Sequence, residues 1–191
     1  ILRYQGKKRF IAELSGWSRV RFLKEIFPDA RFIHIVRDGR AVTNSLIHVN
    51  YWRGWQGIHN WRWGIPKTNY ISLLEKYDYS FTAMAAVQWS MLVENIRLET
   101  TKLNSNDFLL IRYEDLVARP REETLRCTKF CGVEENLSRF ERHLSMAIKT
   151  QIIDTNSVTH RIPPWRSNFS ESDIKMLNEI MANELAQFGY N

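Results

Sequence analysis

The residues from Ala30 to Leu46 constrain the fold of this chain more than any other stretch. Phe32, Ile33, Ile35 and Val36 form a nearly continuous run of aromatic and β-branched residues. That composition predicts a short strand covered on both faces. The run stops at Arg37-Asp38-Gly39-Arg40, after which Ala41, Val42, Leu46 and Val49 recur at helical spacing. A strand, a polar turn and a helix start follow one another. In open α/β sheets ligands bind at such junctions, outside the carboxyl ends of the strands. The free N–H groups of a helix N-terminus favour anions there. Arg37 ends the strand and Ser45 lies eight residues further on, about two helical turns away. A planar guanidinium and a hydroxyl above one strand end suit a phosphate. The same spacing also allows a plainer arrangement, in which Arg37 pairs with Asp38 at the surface and Ser45 faces solvent.

A chain of 191 residues with 44% hydrophobic content supports one sizeable core, and residues 1–191 are read as a single domain. The net charge of +6 favours anionic partners. No apolar run approaches the roughly 20 residues of a membrane span, and no signal peptide is visible. The first residue is Ile1 and not a methionine, so an upstream segment is expected to be missing. Cys127 and Cys131 sit four apart in a predicted helix. They share a face but make an awkward disulfide and no zinc site. Two buried or half-buried thiols favour a reducing compartment, and the cytoplasm is the expected location.

Before the central strand, Lys7 to Glu13 reads as another strand, Leu14-Ser15-Gly16 as a turn and residues 17–27 as a helix with an apolar stripe of Phe22, Leu23, Ile26 and Phe27. A β-α-β unit of parallel strands is the expectation. Glu13 then ends its strand beside Arg37, where a carboxylate suits a general base for an acceptor hydroxyl. A helix-capping or salt-bridging glutamate is the alternative.

Residues 50–68 are dense in tryptophan and arginine without one period, which predicts a long loop. Such a loop either binds planar, sugar or single-stranded nucleic-acid ligands or packs its tryptophans on the core. Helices are predicted over 69–77 and 82–103, with Trp89 and the methionines of the second as core. Asp107 to Arg112 is a second buried parallel strand leading into Tyr113-Glu114-Asp115-Leu116, where Glu114 and Asp115 cap or brace. Pro120 opens a helix that ends near Gly132, and another spans 137–149. His34, inside the apolar run, reads as a satisfied core histidine. Ser170-Glu171-Ser172-Asp173 is a capping-box pattern. It precedes a terminal helix carrying Ile174, Leu177, Ile180, Met181, Leu185 and Phe188, closed by Gly189.

Phe-Pro-Asp-Ala-Arg-Phe-Ile-His-Ile-Val-Arg-Asp-Gly-Arg-Ala-Val, with Ser45 at its offset, resembles the 3′-phosphate-binding segment of sulfotransferases that use 3′-phosphoadenosine-5′-phosphosulfate. The resemblance extends over roughly residues 7–190. It implies that Arg37 and Ser45 hold the donor's 3′-phosphate. Arg-Tyr-Glu-Asp-Leu, followed by Ala-Arg-Pro, is similar to a later family segment and implies that Tyr113 contacts the adenine; a tyrosine whose hydroxyl ties down the turn is the alternative. Trp165-Arg166 before the terminal helix resembles the C-terminal segment, implying that Arg161 and Arg166 close over the 3′-phosphate. Glu13-Leu14-Ser15-Gly16 keeps the glutamate and serine of the family's Glu-Lys-Ser/Thr-Pro but lacks its lysine and proline. By this resemblance Glu13 is the catalytic base.

The family's glycine-rich phosphosulfate loop is not found in the sequence. The implied fold is an α/β, P-loop-NTPase-like sulfotransferase fold with a parallel sheet flanked by helices, lacking its first strand and loop. The implied reaction is sulfonate transfer to a hydroxyl or amine of a small molecule, carbohydrate or protein side chain, with no metal and no nucleic-acid partner. Little activity is expected of this chain alone. A non-catalytic nucleotide- or polyanion-binding module of the same fold is the rival. A P-loop kinase relative is disfavoured by the Arg37/Ser45 pair and the Arg-Tyr-Glu-Asp segment.

Overall fold

The computed structural model describes residue 6 and residues 9–52, 54–61, 64–133, 137–149 and 165–190. Helix α1 spans Val20–Ile26, strand β1 Phe32–Val36 and helix α2 Gly39–Leu46. Two 3-10 turns, Gly54–Gln56 and Ile58–Asn60, lead to α3 (Thr68–Lys76) and the long α4 (Phe81–Thr100). Strand β2 (Phe108–Arg112) runs directly into α5 (Tyr113–Ala118), followed by α6 (Pro120–Cys131) and α7 (Leu137–Lys149). A 3-10 turn at Trp165–Asn168 precedes α8 (Glu171–Ile180) and α9 (Ala182–Gln187).

The two strands are parallel, in register from Phe32 opposite Phe108 to Val36 opposite Arg112. The chain between them crosses over through α2, α3 and α4, as parallel pairing requires. This is an α/β fold rich in helix, with both strand ends delivered to one edge. Helix α4 is the packing centre and meets α1, α2, α3, α8 and α9. Its Ala83, Met84, Val87, Trp89, Met91 and Val93 are buried, which fits a helix that is apolar over most of its circumference. Leu74, Ile111, Leu177, Met181 and Val36 complete the most deeply buried set.

Gly39, the first residue of α2, lies where that helix crosses α4. A Cβ there would stand 2.5 Å from the Trp89 ring and 2.6 Å from Met181 Sδ. A methyl group would force one of the two apart, so Gly39→Ala is expected to cost about 1–3 kcal/mol by overpacking. Urea denaturation of the variant checks this.

The strand expected over Lys7 to Glu13 is not formed by the described part of that segment. Residues 9–15 have no regular structure, and Phe10 and Ile11 are 73% and 90% exposed. Three apolar residues hold a strand only when a neighbour supplies the ladder, and among the described residues the ladder of β1 is to β2, with none to residues 9–15. Arg9 instead donates to the carbonyls of Cys131 and Gly132 at the end of α6. The expected β-α-β unit is therefore replaced by β1, the crossover and β2. The prediction that β1 is covered on both faces is corrected too: Ile33 and Ile35 are exposed.

Helix α1 begins three residues later than expected, because Ser18 is held by α4. Its N–H donates to Asn95 Oδ1 at 2.9 Å and its hydroxyl to Glu99 at 2.7 Å. Phe22, Ile26 and Phe27 of the predicted stripe stay exposed. The terminal helix breaks at Met181, whose φ and ψ of −103° and 5° separate α8 from α9. The Ser170–Asp173 capping box is formed. Cys127 and Cys131 are half-buried free thiols. No helix among the described residues is long and apolar enough to cross a membrane.

His34 lies on β1 with its ring edge-on to Phe188, centroids 6.1 Å apart. Burial lowers its pKa from 6.5 to about 4. The unfolded chain therefore takes up a proton at His34 between pH 6.5 and 4 that the folded chain does not. Stability should fall as pH drops through that window, by up to about 1.4 kcal/mol per pH unit from this group. Replacing His34 by Phe removes this contribution, and denaturation midpoints at pH 7 and pH 5 measure it.

Candidate functional site

The two strand ends define the site. Val36 and Arg112 stand opposite each other at the carboxyl edge, so Arg37 and Tyr113, the next residues, are brought together. The Arg37 guanidinium lies over the Tyr113 ring, 4.9 Å from its centroid. Arg37 Nε is buried without a partner among the described residues. A donor left in that state at the head of a helix is a group available to an anion.

The turn after β1 is rigid for identifiable reasons. The Asp38 side chain caps α2 by accepting from Arg40 N–H at 2.9 Å. The same carboxylate takes both Nε and Nη2 of the Arg40 side chain, at 3.0 and 2.8 Å. Arg40 and Asp38 are 4% and 9% exposed. Asp38 thus pairs with Arg40, and the surface Arg37–Asp38 pair considered as an alternative is not what forms. Arg37 is left with the tyrosine face and its unpaired Nε.

Ser45 sits on α2 one turn beyond Ala41, with its hydroxyl on the Ala41 carbonyl at 3.1 Å. It is exposed. Ala41 and Ser45, four residues apart on α2, share one face, and Arg37 precedes the helix at the end of β1.

Arg166 reaches the same helix by a different route. The 3-10 turn that carries it is docked on α2 twice. Asn168 donates to Asn44 at 3.2 Å, and the Trp165 ring meets the Arg40 guanidinium 4.5 Å from its centroid. Arg40 also donates to Asn178 of α8 at 3.0 Å. Arg166 is exposed and stacks on the same Trp165 ring at 5.3 Å. Arg161 lies outside the described residues.

A second brace joins the strand ends to the end of the chain. Glu114, expected to cap or brace, accepts from Asp38 N–H at 3.0 Å and from the Tyr190 hydroxyl at 2.7 Å. The Tyr190 hydroxyl is also 3.2 Å from the Val36 carbonyl, and its ring carries the Arg112 guanidinium at 4.4 Å. Burial and the Glu114 carboxylate push the Tyr190 hydroxyl well above its ordinary pKa, so it remains a donor. Tyr190 thus ties this turn down by its hydroxyl.

Glu13 is exposed in the irregular segment before α1. The side-by-side strand ends that were to place it next to Arg37 are not formed, so its position rests on no ladder. In the 50–68 region, Trp52 and Trp61 are buried and Trp52 Nε1 donates to Gln88 at 2.8 Å. These two tryptophans pack on the core, while Tyr51 is exposed.

Reading the sequence missed Arg40, Asn44, Asn168 and Tyr190. The N-capping aspartate was legible as a residue type. A buried arginine was not, since arginine is by default a surface residue.

A sequence profile described as the sulfotransferase family matches residues 3–136. The chain is 23% identical to mouse (Mus musculus) carbohydrate sulfotransferase 2, over 88% of this chain and 36% of that protein. It is 24% identical to a putative protein-tyrosine sulfotransferase of Caenorhabditis elegans, over 88% of this chain and 60% of that protein. It is 29% identical to an omega-hydroxy-beta-dihydromenaquinone-9 sulfotransferase of Mycobacterium tuberculosis, over 66% of this chain and 30% of that protein. The chain belongs to the sulfotransferase family. It spans less than two thirds of the length of each of these relatives.

Proposed function

We propose that this site binds the 3′-phosphoadenosine end of 3′-phosphoadenosine-5′-phosphosulfate, and that the whole protein transfers the sulfonate group to an acceptor. The observation that carries the reading is Arg37: its guanidinium is stacked on Tyr113 and its buried Nε is unpartnered among the described residues, at the head of α2. Arg37 would fork onto the 3′-phosphate, with the Ser45 hydroxyl supplied from α2 and Arg166 closing from the 3-10 turn. Tyr113 offers a ring for the adenine. The donor suits these residues by charge and by chemistry: two cations and a hydroxyl are carried by segments at or docked on α2, and the nearby carboxylates are spent, Asp38 on Arg40 and Glu114 on backbone and Tyr190.

The bound donor supplies the transferable sulfonate; the described residues bind and orient its nucleotide end. Glu13 is the proposed base for the acceptor, on resemblance. The named relatives act on carbohydrate, on protein tyrosine and on a hydroxylated menaquinone. A hydroxyl is their common acceptor chemistry, and a hydroxyl acceptor is proposed here. A reducing, cytoplasmic setting is proposed, with the free thiols of Cys127 and Cys131 in its support. Calorimetric titration tests the reading. The protein should bind adenosine 3′,5′-bisphosphate more tightly than 5′-AMP. Equal affinity, with strongly salt-dependent binding to polyanions, would favour the polyanion-binding alternative.

A further inference from the structure

We propose that Glu114 is a positioning residue that aims Arg37, by holding the peptide plane between Arg37 and Asp38 and the α5 start that carries Tyr113 as one unit. The inference rests on the donor reading above. Asp38 N–H belongs to the peptide that follows Arg37. Because that peptide is planar, holding its N–H holds the whole plane and restrains the backbone on the C-terminal side of the Arg37 Cα that carries the guanidinium. Among the described residues the partner found for that N–H is Glu114 Oε1, at 3.0 Å. Glu114 also directly follows Tyr113. One carboxylate therefore spans the two segments whose side chains meet at 4.9 Å.

The other carboxylate oxygen takes the Tyr190 hydroxyl at 2.7 Å. A hydroxyl has one proton. It goes to the carboxylate at this distance and leaves Val36 O, at 3.2 Å, the weaker contact. Tyr190 in turn is packed under Arg112 and is buried. The carboxylate is thus clamped at one oxygen by the C-terminal segment and applies the constraint with the other. Nothing in this arrangement requires Glu114 to touch the nucleotide.

The geometry separates reach from charge. Glu114→Gln can keep every bond. Its carbonyl accepts from Asp38 N–H, its amide donates to the Tyr190 oxygen, and the freed hydroxyl proton turns to Val36 O. Glu114→Asp keeps the charge but is one methylene shorter and cannot span both partners. The readout is the ratio of the dissociation constants of 5′-AMP and adenosine 3′,5′-bisphosphate, with the melting temperature recorded alongside. We expect Glu114→Gln to keep the wild-type ratio within about twofold and Glu114→Asp to lower it at least about fivefold, one hydrogen bond's worth. Tyr190→Phe, which keeps the ring and loses the clamp, should lower it as well.

An Asp variant that melts lower but keeps the ratio would show a merely structural glutamate and overturn the inference. So would a Gln variant that loses the ratio as Asp does, since keeping the hydrogen bonds would then not be enough to keep Arg37 aimed. A wild-type protein with no preference for the bisphosphate would overturn the donor reading and this inference with it, whereas a wild-type preference that Glu114→Asp leaves intact overturns the inference alone.

Discussion

Arg37→Ala should abolish the preference for adenosine 3′,5′-bisphosphate over 5′-AMP. Hydrogen bonds to charged groups contribute about 1.5–3 kcal/mol each, so affinity for the bisphosphate should fall about 10- to 150-fold. Affinity for 5′-AMP, which lacks the 3′-phosphate, should hardly change. The reason lies in the state of the side chain. Its Nε is buried without a partner among the described residues and its guanidinium rests on an aromatic face. Removing it therefore breaks no ion pair among the described residues, and the loss should appear in binding and not in folding. Arg37→Lys should fall between the two, because an ammonium is a point charge without the planar fork. Titration of both nucleotides against wild type and the two variants settles the matter. An unchanged bisphosphate affinity in Arg37→Ala would place the anion elsewhere.

Arg40→Met should be the more damaging change to the fold. It removes the counter-ion of Asp38, a carboxylate 9% exposed, and also the bond to Asn178 and the face on which Trp165 rests. Breaking a buried pair by taking one partner costs about 3–5 kcal/mol, because the other charge stays buried unpaired. For a chain of this size that is a fall of roughly 6–20 °C in melting temperature. Adding Asp38→Asn should recover part of the loss, since the stranded charge is gone. Thermal denaturation of the single and double variants measures both numbers. A single variant within about 1 kcal/mol of wild type would mean that solvent already screens the pair. Arg40 and Arg37 thus make opposite predictions from positions three residues apart: one guanidinium holds the turn together, the other is held ready by it.

Local physics made several features legible before any tertiary contact was known. The strand ending at Val36, the helix after Gly39, the second strand ending at Arg112 and the capping box at Ser170 all follow from short-range patterns of apolar period and cap chemistry. That parallel strands bring their carboxyl ends to one edge follows as well, but which strand end stands beside Arg37 did not: the sequence put Glu13 there, and the fold puts Tyr113. Arg37 stood out because it ends such a strand, and Tyr113 because the Arg-Tyr-Glu-Asp segment after the second strand resembles the family's. What depended on partners distant in the chain was not legible. Lys7 to Glu13 has the composition of a strand, but composition cannot supply a ladder, and the described part of that segment forms none. Arg40 looks like a surface arginine until Asp38, Asn178 and Trp165 surround it. Tyr190 is one of seven tyrosines until the fold lays it under Arg112 and against Glu114. The chain alone determines where its strands end and which charges stand there; only packing decides which of those charges are used up inside the protein and which remain for a ligand.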